Sequence, residues 1–221
     1  MIEYIVPDNI DDRILARTVN FLREGGTAAI PTDTSWSVVC SMNSREGIKR
    51  LKLLSKERDE RYFTLICSDI SQFGEFCSLD NTRFRLIKRL TPGPYVFILK
   101  TLLGTEKALS LRRREIGVKL PDYPVPMTLI NSLGCPLYGI TAKRSMMQDP
   151  EADDEEEVEE KSKALYKEDV LFEGGWELEA IPGLDLILDP GQDRERIFST
   201  VLDMREGDVV LLREGAGPWP V

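Results

Sequence analysis

The chain has 221 residues, 42% of them apolar, which is enough for a sizeable core in one large or two modest domains. Its formal net charge is −9 and it contains no histidine. A Ser-His or Cys-His nucleophile, a His-Glu-x-x-His zinc site and a histidine proton shuttle are thereby excluded, so any chemistry runs on carboxylates, hydroxyls, lysine, arginine, backbone groups or a bound metal ion.

Ile2 to Val6 reads as an opening strand, and Asp8 or Asn9 is placed to cap a helix whose apolar face holds Ile10, Ile14, Leu15, Val19 and Leu22. Gly25-Gly26 stops that helix. A strand at Thr27 to Ile30 leads through Pro31-Thr32-Asp33-Thr34 to the apolar run Val38-Val39-Cys40, and Ser44 then opens a helix carrying Ile48, Leu51 and Leu54. Tyr62 to Cys67 reads as a strand, Asp69 starts a short helix, and Asp80-Asn81 starts another that ends before Pro92. Further strands are expected at Tyr95 to Leu99, Ile116 to Leu120, Leu137 to Thr141, Asp185 to Leu188, Ser199 to Asp203 and Val209 to Arg213, with a helix from about Pro126 to Leu133. The pattern is mixed α/β.

The polar loop Thr32-Asp33-Thr34 falls at a strand's carboxyl end, where α/β sheets bind ligands. Lys56-x-Arg58 sits at a helix-to-strand corner suited to a phosphate or a carboxylate. Residues 151–160 hold eight acids and no base, so setting them aside takes the net charge from −9 to −1. The remainder keeps basic clusters, and a nucleic-acid or phosphate face stays open. The acidic stretch at about 147–163 reads as a surface insertion, or as an electrostatic lid over a basic cleft. The four cysteines lack the close pairs of zinc or redox motifs and read as buried free thiols. No glycine-rich phosphate loop is present, so a nucleotide would be held by side chains. No run approaches the roughly 18 apolar residues of a membrane span, and the start lacks the features of a signal peptide, so the chain reads as soluble and cytoplasmic.

Pro31-Thr32-Asp33-Thr34, Lys56-x-Arg58, Thr91-Pro92-Gly93-Pro94, the strand before Pro121, Thr141-Ala142, Ser199-Thr200-Val201-Leu202-Asp203 and Leu212-Arg213-Glu214-Gly215 follow one another in the order and spacing of a known family. In these motifs the chain resembles the YrdC/YciO family, and the YciO-like branch in particular. The resemblance implies a single domain over residues 1–221: a twisted mixed β-sheet with surrounding helices and a large concave cavity. It also implies synthesis of threonylcarbamoyl-adenylate from L-threonine, bicarbonate and ATP, with pyrophosphate released, for threonylcarbamoyladenosine modification of tRNA. Magnesium would travel with the nucleotide. By motif, Lys56 and Arg58 would hold the phosphates and the carbonate-derived group, Thr141, Ser145 and Arg213 would line the nucleotide pocket, and Thr32, Thr34, Lys119 and Ser199 would contact the amino acid.

Against the family pattern, Trp36-Ser37 stands where Tyr-Gly is usual, Cys67 replaces a histidine, Lys119 replaces an arginine, Lys143 replaces an asparagine and Met146 replaces a glycine. Three functions follow from the resemblance: an enzyme of this type with an unchanged or altered substrate, a protein binding tRNA or double-stranded RNA without that activity, and a nucleotide-binding relative without turnover.

Overall fold

The structure, a computed structural model, describes residues 1–56, 63–147 and 170–219. Arg58 and the acidic stretch from residue 148 onward lie outside the described residues, so the expectation of a surface insertion or lid does too.

After strand β1 (Ile2–Tyr4), the first helix, α1 (Asp12–Arg23), begins later than the expected Asp8 or Asn9. Asn9 instead closes a turn by donating its N–H to the Val6 carbonyl (3.0 Å), and Asp11 caps the helix by accepting the Arg13 N–H. Gly25-Gly26 ends α1 in a Schellman arrangement: Gly25 has φ 97°, its N–H reaches the Leu22 carbonyl, and the Gly26 N–H reaches that of Phe21. The positive φ favours glycine at 25, and a Cβ on Gly26 would lie 2.0 Å from the Phe21 ring, which would have to move.

Strands β2 (Ala28–Pro31) and β3 (Trp36–Ser41) form the hairpin around the Thr32-Asp33-Thr34 loop. Helix α2 (Arg45–Ser55) is capped by Ser44, as the sequence indicates, and β4 (Thr64–Ile66) follows. Helices α3 (Ile70–Phe76) and α4 (Asn81–Leu90) start at Asp69 and Asp80, whose side chains accept backbone N–H groups. Beyond them come β5 (Tyr95–Lys100), a one-turn α5 (Thr105–Ala108) and β6 (Glu115–Lys119). Helix α6 (Pro124–Leu133) starts two residues earlier than the expected Pro126, because proline at the first helical position loses no needed donor. Strands β7 (Leu137–Thr141), β8 (Leu186–Asp189), β9 (Thr200–Asp203) and β10 (Val210–Arg213) complete the described strands.

The ten strands make one mixed sheet in the order β1-β8-β2-β3-β7-β4-β6-β5-β9-β10. Helices α1, α2 and α6 cover the β2-β3-β7 region and bury a continuous apolar core. Side chains alternate across each strand, which decides what faces the helices and what faces the opposite side. Cys40 lies under α2, where a Cβ on Gly47 would come 3.0 Å from the Cys40 Cβ, while Ser37 faces the other way. Leu65 and Cys67 are fully buried, while Thr64 and Ile66 between and before them face the open side. All four cysteines are free and buried, and burial raises the Cys40, Cys67 and Cys77 thiols, that of Cys77 to about 12. No described helix is long and apolar enough to cross a membrane.

Candidate active site

The open face of the sheet holds a cavity of about 350 Å³. Its floor is set by alternation on β6 and β4: Glu115 and Lys119 line it on one strand, Thr64 and Ile66 on the other. Thr64 sits in register between Gly117 and Gly139. A Cβ on Gly139 would stand 2.8 Å from Val39 Cγ1, and one on Gly117 3.0 Å from Val96 Cγ1, so these two glycines keep the floor concave.

Lys119, the last residue of β6, closes one end. Its ammonium donates to Thr34 Oγ1 (3.1 Å) and Ser199 Oγ (3.0 Å) and pairs with Asp33 Oδ1 at 2.7 Å. The four residues come from three places in the chain: the β2–β3 loop, the end of β6 and the entry to β9. The loop is held from behind. Thr32 donates to the Ser35 carbonyl (2.6 Å) and contacts Thr34 Oγ1, Asp33 Oδ2 accepts the Asp122 N–H (3.0 Å), and Arg194, lying over the Tyr123 ring, donates to the Thr32 carbonyl. Burial lowers the Lys119 pKa; the Asp33 charge opposes this and the nearby Arg213 charge adds to it.

Arg213, at the end of β10, lies over the Phe198 ring and donates from Nε to the Ser199 carbonyl at 3.0 Å. Ser199 is thus bracketed by two cations, Lys119 on its hydroxyl and Arg213 on its carbonyl. Gly215 makes this possible, since a Cβ there would lie 2.2 Å from the Phe198 carbonyl oxygen. Lys143, buried beside Thr141, adds a third cation to the lining. Hydroxyl donors beside fixed positive charge suit an acceptor-only group such as a carboxylate or phosphate.

Of the residues singled out from the sequence, Thr34, Lys119, Thr141, Ser199 and Arg213 line this one cavity. Thr32 is buried behind the loop and supports it. Lys56 is exposed at the C-cap of α2, in left-handed conformation, and is not among the cavity's lining residues; neither is Ser145, exposed in the 3-10 turn Arg144–Met147. Arg58 lies outside the described residues. Three of the departures from the family pattern, Trp36, Cys67 and Met146, lie in the core and do not line the cavity. The Trp36 indole donates to the Glu173 carbonyl at 3.0 Å. Ser37, Lys119 and Lys143 are the departures that line it.

Glu115, Arg205 and Phe198 also line the cavity and were not singled out. Glu115 was within reach of sequence reasoning, four residues before Lys119 on one strand face. Nothing local marks Arg205, which follows the end of β9.

A family model described as Telomere recombination, Sua5_yciO_yrdC, matches residues 20–215. The chain is 30% identical over 215 residues to the uncharacterized protein YciO of Escherichia coli K12, covering 97% of this chain and 95% of that one. The E. coli YciO crystal structure superposes with a TM-score of 0.77, covering 100% of this chain and 98% of that chain, at 29% identity. A threonylcarbamoyl-AMP synthase of Mus musculus is 25% identical over 208 residues, 91% of this chain and 66% of its own length. The fold is shared with P. abyssi Sua5 complexed with L-threonine, at a TM-score of 0.77 and 20% identity, over 97% of this chain and 57% of that one. The matched model spans most of the chain, from α1 to the turn after β10, and takes in every strand that builds the cavity: the chain belongs to the Sua5/YciO/YrdC family.

Proposed function

We propose that this cavity forms a threonylcarbamoyl-adenylate-type product from L-threonine or a related amino acid, bicarbonate and ATP, for tRNA modification. The observation that carries the reading is the cluster of Lys119, Thr34 and Ser199 beside Arg213 at one end of a single cavity. Distant threonylcarbamoyl-AMP synthases in the same family support it.

The chemistry suits a site without histidine. The amino acid's nitrogen bonds the bicarbonate carbon with loss of water, a carbamate oxygen attacks the α-phosphorus, and pyrophosphate leaves. Neutralising and aligning anions matters more here than a proton relay. The Thr34 and Ser199 hydroxyls would receive the amino acid's carboxylate, with the Lys119 charge behind them. Arg213 and Lys143 would face the nucleotide's phosphates, and magnesium would arrive as their counter-ion. Lys119 offers a point charge where an arginine would offer a planar fork, so the amino-acid end is where a changed substrate preference would arise.

The test is pyrophosphate release with ATP, bicarbonate and a panel of amino acids. One amino acid should raise release above the ATP-only background, and Lys119→Met should lower that rate about tenfold or more. The same background rate with every amino acid would remove the reading.

A further inference from the structure

The end of the cavity away from Lys119 is also charged, and its hydrogen bonds do not balance. Glu115 and Lys119 are four residues apart on β6, about 13 Å at roughly 3.3 Å per residue. Arg205 pairs there with two carboxylates. Its Nε and one terminal nitrogen hold Asp203 Oδ1 (2.9 Å) and Oδ2 (2.6 Å), and the other terminal nitrogen holds Glu115 Oε2. Three of the four carboxylate oxygens are thereby satisfied. The fourth, Glu115 Oε1, is buried and receives no hydrogen bond; the half-exposed Arg113 forms only a long ion pair with it, at 3.6 Å. A buried acceptor without a donor is costly and calls for a partner.

Ile66, Val96, Ile98 and Val201 give the lining an apolar part. Arg213 stands beside Lys119 at one end, while at the other Glu115 and Asp203 share the Arg205 guanidinium, with Arg113 farther off. A ligand that is anionic at one end and carries N–H donors on a flat ring at the other matches this polarity. Phosphates are disfavoured beside Glu115 and Asp203.

We propose that Glu115, oriented by Arg205 and Asp203, is a specificity-determining acceptor that reads the exocyclic amine of the nucleotide's base. This rests on the nucleotide-binding part of the proposed function. A glutamine at this position would turn its carbonyl to Arg205, the fixed donor, and place its NH2 where Oε1 now stands. The site would then present a donor in place of an acceptor.

The experiment is equilibrium binding of ATP and of ITP, whose base carries a keto oxygen in place of the amine, to wild type and Glu115→Gln. A thermal melt of each checks folding. Wild type should prefer ATP about tenfold, as expected for one hydrogen bond to a charged group, and Glu115→Gln should abolish or invert that preference. Equal affinities in wild type, or an unchanged ratio in the variant, would overturn the assignment while leaving nucleotide binding intact. Binding of neither nucleotide would overturn both.

Discussion

Lys119 and Asp33 meet at 2.7 Å with side chains only 7% and 8% exposed, so one end of the cavity is built around a buried ion pair. Such a pair is a weak source of stability but a costly thing to break, because removing one partner strands a charge in the interior. Asp33→Asn should therefore destabilise the protein by about 3–5 kcal/mol, and Lys119→Met by a similar amount. The double variant should recover most of the loss. A double-mutant cycle by urea denaturation reads this, and simple additivity of the two losses would contradict the coupling.

The Lys119 pair also has a pH signature. Burial holds the Lys119 pKa below the ordinary lysine value, so over that window the unfolded chain carries a proton the folded one has lost. Stability attributable to Lys119 thus rises with pH as the ordinary lysine range is approached from below. Compared with Lys119→Met between pH 7 and 10, wild type should gain in relative stability as the pH rises; a gap that moves the other way would contradict this.

At the other end of the cavity the same sign of pH dependence arises from a different cause, in a lower pH range. The Arg205 side chain hydrogen-bonds Asp203 and holds its carboxyl below the usual range. That contribution is present above the unfolded value, about 3.9, and is lost as the pH falls through the lower folded value. Asp203→Asn should lower stability near neutrality and flatten the acid limb below about pH 4. Urea midpoints between pH 2 and 6 measure it, and parallel limbs for the two proteins would argue against the pairing.

Gly215 is a packing requirement with a functional consequence. A Cβ would approach the Phe198 carbonyl oxygen to 2.2 Å and the Ser199 carbonyl carbon to 2.6 Å, both backbone atoms that cannot swing aside. Gly215→Ala should cost about 1–3 kcal/mol and displace the Ser199–Arg213 pairing. A melting temperature within a degree of wild type, with unchanged nucleotide affinity, would show that the backbone adjusts freely.

Arg213 and Lys56 separate two placements of the nucleotide. Arg213 lines the cavity and Lys56 does not, so Arg213→Ala should weaken ATP binding about tenfold or more and reduce its salt dependence, with a smaller effect from Lys56→Ala. Calorimetric titration at two salt concentrations distinguishes them. An equal loss for Lys56→Ala would put that lysine among the nucleotide's contacts, as its motif implies.

Local chemistry was legible where a side chain acts on its own neighbourhood. Ser44, Asp69 and Asp80 cap helices because each accepts an N–H two or three residues ahead, and Gly25-Gly26 ends α1 because that backbone turn needs glycine. Even there, the cap was expected at Asp8 or Asn9, and the turn from Val6 to Asn9 moved it to Asp11. The ordered motifs also carried the family and its mixed sheet.

Which residues share a site depended on the sheet. Trp36 and Cys67 depart from the family pattern, yet strand alternation turns both toward the core and leaves Ser37 and Ile66 facing the cavity. The Lys119 cluster joins Thr34 to Ser199 across 165 positions, and Glu115 meets Arg205 across 90, separations with no periodic trace in the chain. The sequence by itself determined the elements, the family and most of the chemical groups available. Only the tertiary structure decided that Lys119 is paired with Asp33 rather than open to solvent, and that Glu115 keeps one oxygen without a donor. Burial and pairing are properties of what surrounds a residue, and those surroundings come from distant strands brought side by side.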